Sequence, residues 1–228
     1  MSSSFQIGDP PIDITYRRNA RARRMSLRIS NSDGAVKMTL PGGVSVAEAQ
    51  EFALSKEGWL RKHLGNRGPA HVLTYGARLM IDGVERQIAQ GPKRAIQITD
   101  TEILTNMPED RLPRALAGFC KTLARDRFSA ASRHYADKID VDFTKITMRD
   151  TRSRWGSCTT DGGLMYSWRL IMAPREVQYY VAAHEVCHLI EMNHSDRFWD
   201  LVESIYPNYK ACQKWLRQNG SRLHQVQF

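Results

Sequence analysis

Residues 179–194 read YYVAAHEVCHLIEMNH, a stretch that predicts a buried helix carrying the pattern HExxH. On an α-helix, residues four positions apart lie on one face, so His184 and His188 would present their imidazole rings side by side. Two such rings can hold a divalent metal, and Glu185 lies next to the first of them, where it could act as a general base. The competing interpretation is two hydrogen-bonded core histidines with no metal.

A catalytic zinc site takes three protein ligands, and two candidates for the third follow the motif. Glu191 lies seven residues after His184, on the same face of a continued helix but nearly two turns further along. His194 is favoured, because Asn193 tolerates the left-handed conformation that ends helices and a chain reversing there would return His194 to the metal. The spacing HExxHxxxxxH matches the HExxHxxGxxH of the metzincins, except that Glu191 replaces their glycine. Three histidines would leave one position open for water.

The composition is typical of a globular protein. The 228 residues are 42% hydrophobic, enough for one large domain or two small ones. No apolar segment is long enough to span a membrane, and Met1–Pro11 lacks the layout of a signal peptide, so we expect a soluble, cytoplasmic protein with no membrane partner. The cysteines are scattered without a CxxC pair and are expected to be reduced thiols: Cys120, Cys158, Cys187 and Cys212.

Positive charge is concentrated near the N-terminus. The net charge is +9, and residues 1–70 contain 11 basic against 6 acidic residues. Only Tyr16 adjoins the basic cluster, which is too little for a platform that stacks single-stranded bases, so a solvated basic face is the favoured alternative to a nucleic-acid site. Six arginines form the cluster that could attract nucleic acid or another polyanion: Arg17, Arg18, Arg21, Arg23, Arg24 and Arg28.

Hydrophobic periodicity predicts a β-rich front part. Met25–Ile29 and Val36–Leu40 alternate apolar and polar residues around a turn at Asn31–Gly34, which indicates a β-hairpin. A capping box at Ser45 and Glu48 opens a helix expected to reach about Leu64. Several short strands are predicted between residues 72 and 107, because short apolar runs there are separated by glycine-containing turns.

Helical patterns dominate the rear part. A long amphipathic helix is predicted from Arg111 to Ala136, a second helix begins after an N-cap at Ser195, and a final helix is expected to end at Gly220. The fold class is therefore α+β. It comprises a basic β-rich part at residues 1–108 and a zincin-like helical part at residues 109–228, with a β-hairpin next to the metal helix.

That hairpin is predicted from strands at Arg152–Cys158 and Leu164–Met172 around a turn at Thr159–Gly163. An edge strand beside a metal site could hold a substrate peptide in extended form by backbone hydrogen bonds. The alternative is that Trp155 and Trp168 are core residues and the hairpin only braces the helix.

Six segments of the chain form a recognisable signature: Arg154–Cys158, Trp168–Leu170, Ala173–Pro174, His184–His188, Asn193–Ser195 and Phe198–Trp199. Together they resemble the YgjP-like metallopeptidases, relatives of the SprT-like zinc proteases. The resemblance implies one zinc ion per chain, with His184, His188 and His194 as ligands and Glu185 as the general base. Ser167 and Tyr179 depart from the usual pattern of that family.

The predicted function is zinc-dependent cleavage of peptide bonds in a peptide or protein substrate by a metal-activated water, with Glu185 as the base. Two alternatives stay open: a nucleic-acid-binding module with a structural or vestigial metal site, and a metal-dependent amidase with a non-peptide substrate. Four side chains are candidates for substrate binding or for stabilising the transition state: Arg154, Arg169, Tyr206 and Tyr209.

Overall fold

The computed structural model describes residues 3–30, 34–65 and 71–228, and these have the α+β composition expected from the sequence. The described strands are β1 (Ser3–Ile7), β2 (Ile12–Arg18), β3 (Ser26–Ile29), β4 (Val36–Leu40), β5 (His71–Val72), β6 (Arg78–Ile81), β7 (Val84–Gln90), β8 (Gln97–Ile98), β9 (Glu102–Thr105), β10 (Lys145–Arg149), β11 (Gly156–Cys158), β12 (Gly163–Ser167) and β13 (Val226–Gln227). The described helices are α1 (Val46–Ser55), α2 (Glu57–Gly65), α3 (Leu112–Lys138), α4 (Arg175–Cys187), α5 (Asp196–Ile205) and α6 (Tyr209–Leu223).

The chain separates into two compact units, Met1–Pro69 and Ala70–Phe228. The division expected at residue 108 falls inside the second unit. Strands β6, β7 and β9 place Leu79, Ile88 and Ile103 in the same apolar core as helices α3 and α4, so the middle strands belong with the helices that follow them.

The first unit is a four-stranded sheet covered on one face by α1 and α2. The strand order is β1-β2-β4-β3, with β2 parallel to β4 and the other pairs antiparallel. The predicted hairpin is confirmed as the β3–β4 pair, while its expected turn at residues 31–33 lies outside the described residues. The predicted capping box is also confirmed, since Ser45 accepts from the Glu48 amide, but the helix breaks at Lys56 instead of continuing.

In the second unit, α3 runs through the apolar core and keeps Pro113 in its first turn, as expected. Two small sheets flank it, in the orders β6-β7-β9-β8 and β10-β12-β11. The Phe128 ring on α3 stacks on Tyr166 of β12 with centroids 4.5 Å apart. The Tyr166 hydroxyl pairs with Ser132 at 2.9 Å, which satisfies both buried hydroxyls.

The predicted second hairpin is present as the antiparallel pair β11 and β12, and β11 forms the edge of its sheet. The returning strand is shorter than expected. After Ser167 the chain turns into a short 3-10 helix, Trp168–Met172, whose residues are mostly buried. A short apolar run of this kind does not distinguish a buried strand from a buried helical turn.

The start of α4 is fixed by the turn between β6 and β7. Asp82 adopts a left-handed φ of 55°, and its amide donates to the Ile171 carbonyl at 2.8 Å. Its carboxylate accepts hydrogen bonds from Arg127 at 2.8 and 3.2 Å, from Arg175 at 3.0 Å and from Gln178 at 3.0 Å. One aspartate therefore ties α3 to the first turns of α4.

The C-terminal helices pack against the same core. Helix α5 begins after the predicted N-cap Ser195, which accepts from the Phe198 amide. Helix α6 continues past the expected stop at Gly220, where a Cβ atom would lie 2.9 Å from the Trp155 ring, so this glycine permits close packing. In the part of the chain that the structure describes, no helix combines the length and apolarity needed to cross a membrane.

Candidate metal centre

Three imidazole rings converge at the end of α4. His184, His188 and His194 each offer a ring nitrogen, and these nitrogens all lie within 4.8 Å of one another. The Nε2 atoms of His184 and His194 are 3.1 Å apart. Two nitrogens that bind one tetrahedral zinc ion at about 2.0–2.1 Å are about 3.3 Å apart, so the spacing of this pair suits a shared cation.

The third histidine reaches the cluster because the helix ends early. Helix α4 stops at Cys187, and His188 forms its C-cap in a right-handed conformation. The Leu189 amide donates to Val186 and the Glu191 amide to Cys187, at 2.9 and 3.0 Å, which turns the chain back. The left-handed conformation expected at Asn193 is not adopted: among the described non-glycine residues, positive φ angles occur at Asp82 and Asp140.

Glu191 supports the cluster through its backbone. Its carbonyl oxygen pairs with the Nδ1 atom of His188 at 2.9 Å. With the Nδ1 proton donated to this carbonyl, the Nε2 atom of His188 carries the lone pair that a metal needs. The Glu191 carboxylate does not belong to the histidine group.

Aromatic rings hold the three imidazoles in place. Phe198, which is fully buried, lies 4.9 Å from the His184 ring, 4.4 Å from His188 and 4.8 Å from His194 by centroid distance. Trp199 stacks on His194 at 5.5 Å with an interplanar angle of 21°. Phe198 and Trp199 therefore pack directly on the rings of the histidine cluster.

Burial favours the neutral form of His184 and His188 by lowering the pKa of each ring. It lowers the pKa of His184 to about 3, with the neighbouring rings of His188 and His194 acting in the same direction. Burial also lowers the pKa of His188, although the hydrogen bond to the Glu191 carbonyl opposes the shift. Neutral imidazole is the form that binds metal ions.

Glu185 lies on the adjacent position of α4 and is only 5% exposed. Burial raises the pKa of its carboxyl group to about 8, and the charge of Arg154 opposes the shift. The side chain lies over Gly156 of β11, where a Cβ atom would come within 2.6 Å of the Glu185 Cδ and Cγ atoms. Only a residue without a side chain leaves room for the carboxylate at this point of the edge strand.

The four candidates for substrate or transition-state contacts are placed very differently. Arg154 is exposed, and its charge reaches Glu185. Arg169 donates to Asp150 at 2.6 and 3.2 Å and to the carbonyls of Leu223 and Val226 at 3.0 Å, so its donors hold the C-terminal segment.

The two tyrosine candidates already have partners. Tyr206 donates its hydroxyl to the Glu176 carbonyl at 2.8 Å. The buried ring of Tyr209 stacks on Trp199 at 5.2 Å, which places Trp199 between it and His194. Arg154 is thus the one candidate of the four whose charge is seen to act on the site, and its role stays a prediction.

The donor set fits a zinc ion. Three imidazoles are borderline-soft ligands of the kind zinc prefers, and a group of three leaves a fourth position free. A carbonyl orients the His188 ring, as such partners commonly do at zinc sites. The Nδ1 atom of His184 is buried and has no hydrogen-bond partner among the described residues, so this ring is positioned by packing alone.

The sequence does not predict three contributors to this site. Gly156 belongs to the matching segment Arg154–Cys158, but its place beneath the Glu185 side chain is signalled only by a glycine within a predicted strand. Phe198 also lies in a matching segment, but its contact with all three histidines depends on how α5 packs against α4. Asp82 anchors α4 from 96 residues away in sequence, and no local pattern indicates this role.

Comparison with known proteins places the chain in one family. A family model described as "YgjP-like, metallopeptidase domain" matches residues 23–219. No curated protein matches the chain significantly. Among solved structures, the chain is similar to the metallopeptidase zymogen abylysin of Pyrococcus abyssi, with 18% identity and a TM-score of 0.37, over 40% of this chain and 93% of that one.

Proposed function

Because the chain belongs to the YgjP-like metallopeptidase domain family, we propose that it is a zinc peptidase in which His184, His188 and His194 hold the ion and Glu185 is the general base. The convergence of the three imidazoles beside a buried glutamate is the observation that carries this proposal. A zinc ion held there would supply Lewis acidity, which polarises a carbonyl group and acidifies water.

The protein's own residues supply the proton transfer. Glu185 would accept a proton from the attacking water at a carboxylate oxygen and later deliver it to the leaving nitrogen of the cleaved amide. Gly156 gives the Glu185 side chain its space, and Arg154 favours the ionised carboxylate through its positive charge. Phe198 holds the three rings in position.

The edge strand favours a peptide over a small amide as the substrate. Strand β11 pairs with β12 on one side only, so the other side has backbone groups with no strand partner in its sheet. Gly156 of this strand touches the Glu185 side chain, which brings that edge to the proposed base. A substrate chain that added to β11 in extended form would be held by its backbone, largely independent of its side chains.

Zinc content and peptidase activity on an unfolded protein such as casein test the proposal together. Glu185→Gln should keep one zinc ion per chain and lose about a thousand-fold in turnover, because the amide cannot accept the proton. Glu176→Gln, the same change at an exposed position of the same helix, is the matched control and should be fully active.

The third ligand is tested by a second pair of variants. His194→Ala should lose zinc, whereas Glu191→Ala should retain it, because the Glu191 carbonyl that orients His188 is unchanged. Stoichiometric zinc in His194→Ala would refute the ligand set, and full turnover by Glu185→Gln would refute the base. A protein that binds zinc and hydrolyses non-peptide amides but no polypeptide would refute the substrate class alone.

A further inference from the structure

The first unit has a sheet face that α1 and α2 do not cover. Ile14, Val36, Met38 and Leu40 point toward the helices and are buried, so the alternate residues of the same strands point the other way. An open cavity of about 770 Å³ lies over this outer face between β2, β4 and β3.

The register of the strands arranges the outer face in two rows. Thr15, Lys37 and Arg28 form one row across β2, β4 and β3. Arg17, Thr39 and Ser26 form the next. Each row therefore combines cationic and hydroxyl side chains, and adjacent strands about 4.8 Å apart give a row a width of about 10 Å.

The cations of this face form no ion pair with a described residue of the first unit, although the Asp13 carboxylate lies on the same side of β2. Arg17, Arg28 and Lys37 are exposed, and none of them makes an ion pair with another described residue. Lys37 and Arg28 lie directly opposite each other on adjacent antiparallel strands, where like charges are destabilising. An anion that binds from outside would relieve this repulsion.

Arg18 of the arginine cluster is engaged within the first unit and is not counted with this face. Arg18 donates to the carbonyls of Gly42 and Val44 at 3.0 and 2.6 Å. Asp13, the acidic residue at the β1 side of the sheet, accepts a hydrogen bond from Gln6 at 2.7 Å.

The side chains on the outer face indicate which polyanion fits. Arginine, lysine and hydroxyl groups are the usual partners of phosphate oxygens. The nearby Tyr16 ring packs on Phe5, at 5.6 Å, and shares the inward side with Ile14, so the outer rows offer no platform for unstacked bases. Apolar side chains that could enter a lipid bilayer are likewise absent from these rows, which consist of Thr15, Arg17, Ser26, Arg28, Lys37 and Thr39.

We propose that this outer face, built around Arg17, Arg28 and Lys37, binds the phosphate backbone of duplex nucleic acid without reading its sequence. A duplex keeps its bases stacked internally and presents about one charge per 1.7 Å of axis, so several phosphates fall within reach of the two rows. This binding site is separate from the proposed peptidase chemistry and does not depend on it.

The test measures fluorescence anisotropy of a labelled 20-base-pair DNA duplex with the full chain between 50 and 200 mM salt. The variant carries Arg17→Gln, Arg28→Gln and Lys37→Gln. The matched control carries Arg114→Gln, Arg125→Gln and Lys214→Gln, which removes the same charge from exposed helical positions. Circular dichroism verifies that both variants fold.

Loss of three phosphate contacts should reduce the slope of log K against log salt by about 2.7 in the face variant. Over this fourfold change in salt, wild-type affinity should therefore fall about 40-fold more than that of the variant. The control should keep the wild-type slope. Equal losses in both triple variants, no duplex binding at 50 mM salt, or tighter binding of the single strand than of the duplex would each overturn the proposal.

Discussion

A methyl group added at Gly156 tests the proposed role of Glu185 without touching any ionisable residue. In Gly156→Ala the new Cβ would lie 2.6 Å from the Cδ and Cγ atoms of Glu185, whereas ordinary contacts begin near 3.4 Å. The carboxyl group must therefore move by about 0.8 Å, and a catalytic group displaced by about 1 Å can cost about 100-fold in rate. We expect kcat/KM to fall by about this factor, equivalent to about 2.7 kcal/mol.

The assay compares casein hydrolysis, zinc content and thermal unfolding of the same preparations. Gly156→Ala should keep its zinc, because the three histidines are not displaced directly, and should lose about 1–3 kcal/mol of stability through overpacking. Gly118→Ala is the matched control, since a Cβ there meets nothing within 4 Å, and it should stabilise α3 by about 1 kcal/mol with full activity. A folded, zinc-loaded Gly156→Ala protein with wild-type kcat/KM would refute the claim that the position of the Glu185 carboxylate limits the reaction.

Three other substitutions test the support of the site. Asp82→Asn should lower the free energy of unfolding in urea by about 3 kcal/mol, because Arg127 and its neighbours lose their charged partner. The control is Glu85→Gln, which removes an exposed ion pair of the same hairpin and should change the free energy of unfolding by less than about 0.5 kcal/mol. Burial lowers the pKa of His224 to about 4, so the unfolded chain binds more protons at this residue between pH 6.5 and 4, and its contribution to stability falls by about 3 kcal/mol across that window as the pH falls. His224→Phe should remove this contribution and leave the one that His184 and His188 make, while keeping the stack on Trp155. Phe198→Leu should weaken zinc binding about 10-fold in a chelator competition, whereas Phe128→Leu, an equally buried ring that packs on Tyr166, should lower stability and leave zinc affinity unchanged.

The cluster of three histidines was largely predictable because its spacing is local. Helical geometry alone places His184 and His188 on one face. His194 follows closely in sequence, so most conformations of the connecting loop would bring its ring near the other two. The choice between Glu191 and His194 followed from the same reasoning, although the predicted cause was not observed. The chain reverses through early termination of α4 at Cys187 and not through a left-handed Asn193.

The supports of the site were not predictable, because they depend on contacts between distant residues. Gln178 and Asp82 are 96 residues apart, and nothing in either local sequence indicates that they bond. The division predicted at residue 108 followed a change from strand to helix periodicity. Ile88 and Ile103 are buried in the same apolar core as α3, and periodicity does not reveal such tertiary contacts. Likewise, the apolar run after Ser167 suits either a strand or a helical turn until its neighbours are known.

In the proposed zinc peptidase, metal binding would be coupled to folding by the positions of the three histidines. His184 lies within α4 and His188 at its C-cap, whereas His194 precedes α5, so one cation would join two helices across the intervening loop. In the chain itself that loop is held by the Glu191–His188 hydrogen bond and by the ring of Phe198. Zinc at 1,000 times its dissociation constant would add about 4 kcal/mol to the stability of the folded form. This exceeds the net contribution of one hydrogen bond, about 1 kcal/mol, so a bound ion would stabilise the loop more than the Glu191–His188 hydrogen bond does.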